Sequence, residues 1–315
     1  MRRDYLRWAW KHTPFFLWIR WAKNTSFPGI KQVSIFKFLN LFFYGIQEGY
    51  ITTRASAIAF SFFIALFPGI IFLFTLIPYI PIDNFQATLL QEIQELMPSG
   101  SFQYVESTLE DLINHKRTSL LSFGLIATLY FTINGVDSTI SAFNMSYHSF
   151  VIGERGWINQ KITSLGLTLL LILLLVGCVT LIVVGESSIL KLTSLFSNAS
   201  EFDYFVIQST QTILLASLVY FGISFIYFYA PKHRKDWIFF SPGSTIATIC
   251  VFLLSKGFGL YVTQFDSYNK LYGSIGTLMM IMLWMYFVCI VILVGFELNA
   301  AIKGARNHLN RKNEK

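Results

Sequence analysis

The stretch LYGSIGTLMMIMLWMYFVCIVILVGFELNAAI, residues 271–302, is apolar for long enough to cross a lipid bilayer, because about 20 mostly apolar residues cover the roughly 30 Å hydrocarbon core. Five more blocks of this kind precede it, at about residues 55–77, 119–144, 162–185, 205–230 and 238–262. Backbone inside lipid must satisfy its own hydrogen bonds, so segments of this length are predicted to be helices. The fold class expected is therefore an all-α integral membrane protein with six transmembrane helices. Composition agrees: 54% of the chain is apolar and 13% charged, where soluble domains carry about a quarter charged residues.

Six spans place both termini on one side. Of the 24 Lys and Arg, 19 lie in the region up to residue 54, the loops at 148–161 and 231–237, and the C-terminal tail. The three opposite loops hold 4, and Lys256 falls inside the fifth span. That bias predicts cytoplasmic termini. The net charge of +7 sits in tails and short loops, which fits a membrane surface better than nucleic acid. The start, MRRDYLRWAWKHTPFFLWIRWAK, interleaves cations with aromatic residues. It is read as an amphipathic helix lying in the interface, not as a cleavable signal peptide. FKFLNLFFYGIQEGY, apolar until Glu48, is read as interfacial too. The domains expected are thus a basic-aromatic region 1–54, a transmembrane domain 55–302 with a polar, non-cytoplasmic excursion at 83–117, and a basic cytoplasmic tail 303–315. The three cysteines, 178, 250 and 289, lie in apolar blocks with no metal spacing and read as inert buried thiols.

Polar residues inside spans carry the most information. Asn134, Asp137, Ser138, Ser141 and Asn144 recur at offsets of three and four, a stripe along one helix face that must look into the bundle or a wet cavity. An ionised carboxylate in hydrocarbon costs several kcal/mol, so Asp137 is paired, hydrated or protonated. It is either a structural hydrogen-bond partner or part of a substrate or ion path. Lys256 lies near the outer end of its span, within snorkelling reach of the interface. Glu297, near the cytoplasmic end of span six, shares its level with Arg54, Arg155 and Lys303. This predicts a polar cluster in which Glu297 and Asp137 are compensated by Arg54 or Arg155, with Asn134 and Asn299 supplying amide hydrogen bonds. Pro68 should kink span one, and Gly273, Gly276 and Gly295 let helices approach closely.

These residues carry a resemblance. The segments YVTQFDSYNKLYGSIG and LWMYFVCIVILVGFELNA, and the Pro231-to-Trp237 loop before them, resemble the YihY/virulence factor BrkB family of bacterial inner-membrane proteins. RASAIAFSFFIALFPGIIFL in span one and AFNMSYHSFVIGERGW after span two are similar to the corresponding family segments. The likeness runs from about residue 40 to 302. Phe296 departs from it, standing where a small residue is usual before the glutamate. The resemblance implies six membrane helices with cytoplasmic termini. It matches at Arg54, Pro68, Arg155, Pro231, Trp237, Tyr272, Gly273, Ser274, Trp284, Gly295, Glu297 and Asn299. The family's association with virulence and envelope resistance implies amphiphile transport or envelope maintenance, although some members bear a ribonuclease label.

A nuclease needs an acid-base or metal-binding set on a surface that RNA reaches. The five histidines are scattered, and no His-x-His or paired carboxylate motif falls in a predicted cytoplasmic loop. An intramembrane lipid enzyme could use Asp137 and Glu297, yet neither has a nucleophile or metal partner in sequence. A transporter or flippase-like protein for a lipid or other amphiphile accounts for inward polar residues, a proline in the first span and glycines at helix ends. Its path would involve Arg54, Asn134, Asp137, Ser141, Arg155, Glu297 and Asn299. No Walker motif is present, so this chain would not itself hydrolyse ATP, and no cofactor or metal is expected. A non-transporting envelope scaffold is the rival reading. Membrane lipids are the expected partners, with a second copy or an envelope protein beside them and no nucleic acid.

Overall fold

The structure, a computed structural model, describes residues 26–27, 30–79, 115–146, 155–195, 201–232, 237–264 and 274–313. Two short antiparallel strands, β1 (Ser26–Phe27) and β2 (Ile30–Ser34), precede the helices. An all-helical reading does not include them, but β-branched Ile30 and Val33 favour extended backbone. Seven α-helices follow among the described residues: α1 (Ile35–Glu48), α2 (Ile51–Leu76), α3 (Thr118–Asn144), α4 (Trp157–Leu195), α5 (Glu201–Tyr229), α6 (Pro242–Gln264) and α7 (Ser274–Asn313).

Helices α2 to α7 contain six stretches long and apolar enough to span a membrane: Ile51–Tyr79, Thr118–Asn144, Trp157–Leu181, Gln208–Tyr229, Pro242–Val262 and Gly276–Ala305. Each coincides with a block predicted from the sequence. Several boundaries differ, two of them with consequences for the site. The first span starts at Ile51, which puts Arg54 in its opening turn, and α7 stays helical through Asn313, so most of the expected tail is helix. Large apolar side chains such as Phe60, Leu73, Phe123, Ile126, Leu173 and Leu253 point outwards; water would penalise so much apolar surface, whereas lipid does not. The aromatic N-terminal 25 residues and most of the 83–117 excursion lie outside the described residues.

The chain forms two compact units, residues 57–138 and residues 1–56 with 139–315. The smaller holds most of α2 and α3, paired antiparallel. Contacts step in opposite directions along the two helices: Ser61 Oγ lies 3.0 Å from Ser138 Oγ, Gly135 faces the Phe62 ring, Gly69 faces Thr128, Gly124 faces the Phe72 backbone, and Tyr79 Oη lies 2.9 Å from Thr118 Oγ1. A Cβ on Gly124 would stand 3.2 Å from the Phe72 backbone, so glycine sets how closely this pair can pack. α2 remains helical through Pro68, although the missing N–H leaves the Ile64 carbonyl without its helical donor.

In the larger unit α7 lies against α6 and α1, and α5 packs on both α4 and α6. The α6–α7 crossing is backbone on backbone. A Cβ on Gly243 would run into the Gly295 carbonyl oxygen and come within 2.6 Å of Asn299; one on Gly295 would stand 2.8 Å from the Gly243 oxygen and 2.5 Å from Tyr227 Oη. That hydroxyl donates to the Ile292 carbonyl at 2.5 Å, pinning α5 to α7. Phe296 stacks on Phe143 with ring centroids 3.8 Å apart and on Trp237 at 5.3 Å, with Tyr227 edge-on. Its large ring fills the middle of an aromatic sandwich.

Gly243→Val should force α6 off α7 and cost about 3 kcal/mol or more, read as a lower midpoint in thermal unfolding of the detergent-solubilised protein. Gly257→Val, with nothing within 4 Å of its added Cβ, should change stability by about 1 kcal/mol or less.

Candidate functional site

Arg54 enters the bundle through a tight turn. Tyr50 adopts a left-handed φ of 47°, a conformation that ends a helix and redirects the chain. Its carbonyl then accepts from Arg54 N at 3.1 Å, starting α2. The Arg54 side chain, 3% exposed, reaches Glu297 on α7, which has no exposed surface; Nη2 donates to Oε1 at 2.8 Å. Nη1 donates to the Ala142 carbonyl at 2.6 Å, and Ser146 Oγ donates to Glu297 Oε2 at 2.7 Å. Two buried charges are costly to desolvate and are tolerated only when paired and hydrogen-bonded in this way. Ala142 is in the last turn of α3, where carbonyls lack helical donors, so the guanidinium also caps that helix and opposes the negative end of its dipole. Gly49 leaves the necessary room: a Cβ there would lie 2.7 Å from Arg54 Nη2.

The remaining polar residues at this end also join helix termini. Asn299 Oδ1 accepts from the Gly243 N–H at 2.9 Å, and its Nδ2 donates to Ser241 Oγ at 2.8 Å. Ser241 in turn forms a reciprocal capping box with Ser244 ahead of Pro242, a favoured way to begin a helix. Arg155 closes the C-terminal end of α5, with Nη2 donating to the Tyr229 and Pro231 carbonyls at 2.7 and 2.8 Å and Nε to Ala230 at 3.2 Å. Between α3 and α4, Gln160 Nε2 donates to Ser141 Oγ at 2.9 Å. Lys303 Nζ sits 5.0 Å from the centre of the Trp237 ring, a cation–π contact.

The structure thus brings Arg54 to Glu297 as the sequence predicts. Asn299 and Arg155 serve different ends, capping α6 and α5. Asn134 and Asp137 are half-buried on the α3 stretch of the smaller unit. Gly295 makes the close helix crossing, Gly276 is buried near the start of α7, and Gly273 lies outside the described residues. Sequence reasoning passed over Ser146, Gln160, Tyr227 and Gly49, whose roles depend on which way each helix is rotated. It also passed over Ser241, although Ser-Pro-Gly-Ser is a readable helix start. Among the described residues no three His, Cys, Asp or Glu side chains come together to hold a metal ion.

The family model described as virulence factor BrkB matches residues 42–315. The chain belongs to the BrkB family. Among BrkB-family relatives, YfkH of Bacillus subtilis (strain 168), named a ribonuclease-like protein, is 31% identical over 259 residues, 82% of this chain and 92% of YfkH. A UPF0761 membrane protein of Vibrio cholerae is 36% identical over 83 residues, 26% of this chain and 28% of that protein. Another, from Tolumonas auensis, is 26% identical over 191 residues, 59% of this chain and 58% of its own. No solved structure matches. BrkB-family membership and six apolar helices make this a multi-pass bacterial membrane protein.

Asn299→Ala should strand the Gly243 N–H and cost about 1–3 kcal/mol. Arg155→Lys should also destabilise the fold, by about 1–3 kcal/mol, because a point-like ammonium cannot reproduce the planar fork over three carbonyls. Thermal unfolding of each purified variant checks both.

Proposed function

We propose that this BrkB-family chain is a transporter or flippase-like protein for a lipid or other amphiphile in envelope maintenance, with both termini cytoplasmic. Asn134 and Asp137 lie on its path, and the Arg54–Glu297 pair is a structural tie. The observation that carries the reading is Asp137: a carboxylate, half-buried, in a 27-residue apolar helix. Such a residue is expensive in a membrane, and its usual reason for being there is a polar path or relay. Asn134 precedes it by one turn on the same face, so the two can present hydrogen-bonding groups to a headgroup while the surrounding apolar surface accepts chains. Membrane lipids serve as substrate or solvent, and no cofactor is involved.

A scaffold of the envelope, with a second copy or an envelope protein as partner, is favoured by a different observation. Arg54, Arg155 and Asn299 each bond backbone groups at the ends of neighbouring helices, which is architectural work. The two readings part at Asp137.

Liposomes carrying the purified protein and labelled phospholipid or anionic glycolipid supply the test. Transport predicts that Asp137→Asn keeps its thermal midpoint within about 1 kcal/mol equivalent and loses most protein-dependent translocation, while Glu297→Gln loses stability and activity together. A wild type that moves no amphiphile, with Asp137→Asn poorly folded, would turn the assignment to the scaffold.

A further inference from the structure

Helix α1 has two unlike faces. Phe38, Leu39 and Phe42 pack against Leu298, Ala301, Ile302 and Ala305 of α7, where two alanines a turn apart let the helices meet. The stripe at Asn40, Phe43, Tyr44, Gln47 and Glu48 faces away, and Phe43 and Tyr44 keep 56% and 46% of their surface exposed; Tyr50, in the turn that follows, keeps 71%.

We propose that α1 is an in-plane helix seated in the headgroup layer of the bilayer, with Phe43, Tyr44 and Tyr50 in contact with lipid. Its depth follows from what it touches. Residues 298–305 are the last turns of the apolar span Gly276–Ala305, so a helix packed on them lies where hydrocarbon gives way to headgroups. Aromatic rings interleaved with Asn40, Gln47 and Glu48 suit that zone, which offers apolar and wet surroundings within a few ångströms. At this same end Trp157 is 75% exposed in the first turn of α4, and Arg155 two residues earlier is tied into the helix ends. Lipid is a better occupant than a second copy of the chain. A 14-residue helix is about 21 Å long, and three aromatic side chains along it offer far less than the roughly 800 Å² per partner of a stable protein interface.

The placement gives α1 a second role. Gly49, directly after its last turn, lies against the Arg54 guanidinium and within 3.5 Å, measured from a Cβ built there, of Glu297 Oε1. A helix held at the surface by lipid thereby fixes the turn that lies against the buried ion pair.

The test places an environment-sensitive fluorophore on Phe43→Cys, in protein whose three native cysteines are alanine. The carrier is phosphatidylethanolamine–phosphatidylglycerol vesicles holding fewer than one protein each on average. Tyr44→Cys repeats the measurement should the first variant fold poorly, and Leu173→Cys on α4, 72% exposed in mid-span, marks full lipid exposure. For a ring at the headgroup–acyl boundary, acyl-brominated lipid should quench the Phe43 probe at least about half as well as the Leu173 probe, and aqueous iodide should quench it about threefold less than free dye. Full iodide access without bromolipid quenching would overturn the proposal. So would shielding that appears only when vesicles hold several copies, because a second chain would then be the cover.

Discussion

Glu297 has no exposed surface, and leaving a carboxylate unpaired there would cost several kcal/mol. Arg54 is the cation that meets it, and much of this end of the protein is arranged so that it can. The left-handed turn at Tyr50 aims the start of α2, Gly49 keeps side-chain atoms out of the guanidinium's way, and Ser146 takes the second carboxylate oxygen. Because the same guanidinium caps α3 through Ala142, one residue joins the starts and ends of three spans.

The other polar residues extend that logic around the bundle. Helix termini carry backbone groups with no helical partner, and those buried inside the protein cannot turn to water. Here side chains from neighbouring helices supply what is missing: Arg155 for α5, Asn299 and Ser241 for α6, Gln160 between α3 and α4. Tyr227 adds a bond from α5 to α7. All of these lie at the ends that the Lys and Arg bias assigns to one side. Gly295, Glu297 and Asn299 thus have separate tasks within five residues of α7: close approach to α6, charge pairing with α2, and capping of α6.

How much of this was legible depends on what each feature needs to be seen. The six spans need only hydropathy and length, and the sequence predicts all of them. Depth alone places Arg54, Arg155 and Lys303 near Glu297; that Arg54 pairs with it while Arg155 caps α5 needs the packing of the helices. The role of Asn299 needs the rotation of α7 relative to α6, which periodicity alone does not supply. The Phe296 sandwich needs Phe143 and Trp237 from two other parts of the chain. The β1–β2 hairpin is too short and too close to an aromatic-basic stretch to stand out as strand.

The central claim is that Arg54 and Glu297 act as one unit holding the helix ends together. A double-mutant cycle with Arg54→Met, Glu297→Leu and the combined variant, followed by thermal unfolding in lipid nanodiscs, tests it most directly. Each single change should cost about 3–5 kcal/mol by leaving a buried charge alone, whereas the pair of changes should cost less than the larger single, since two apolar side chains leave no charge behind. Two losses that simply add would contradict the account.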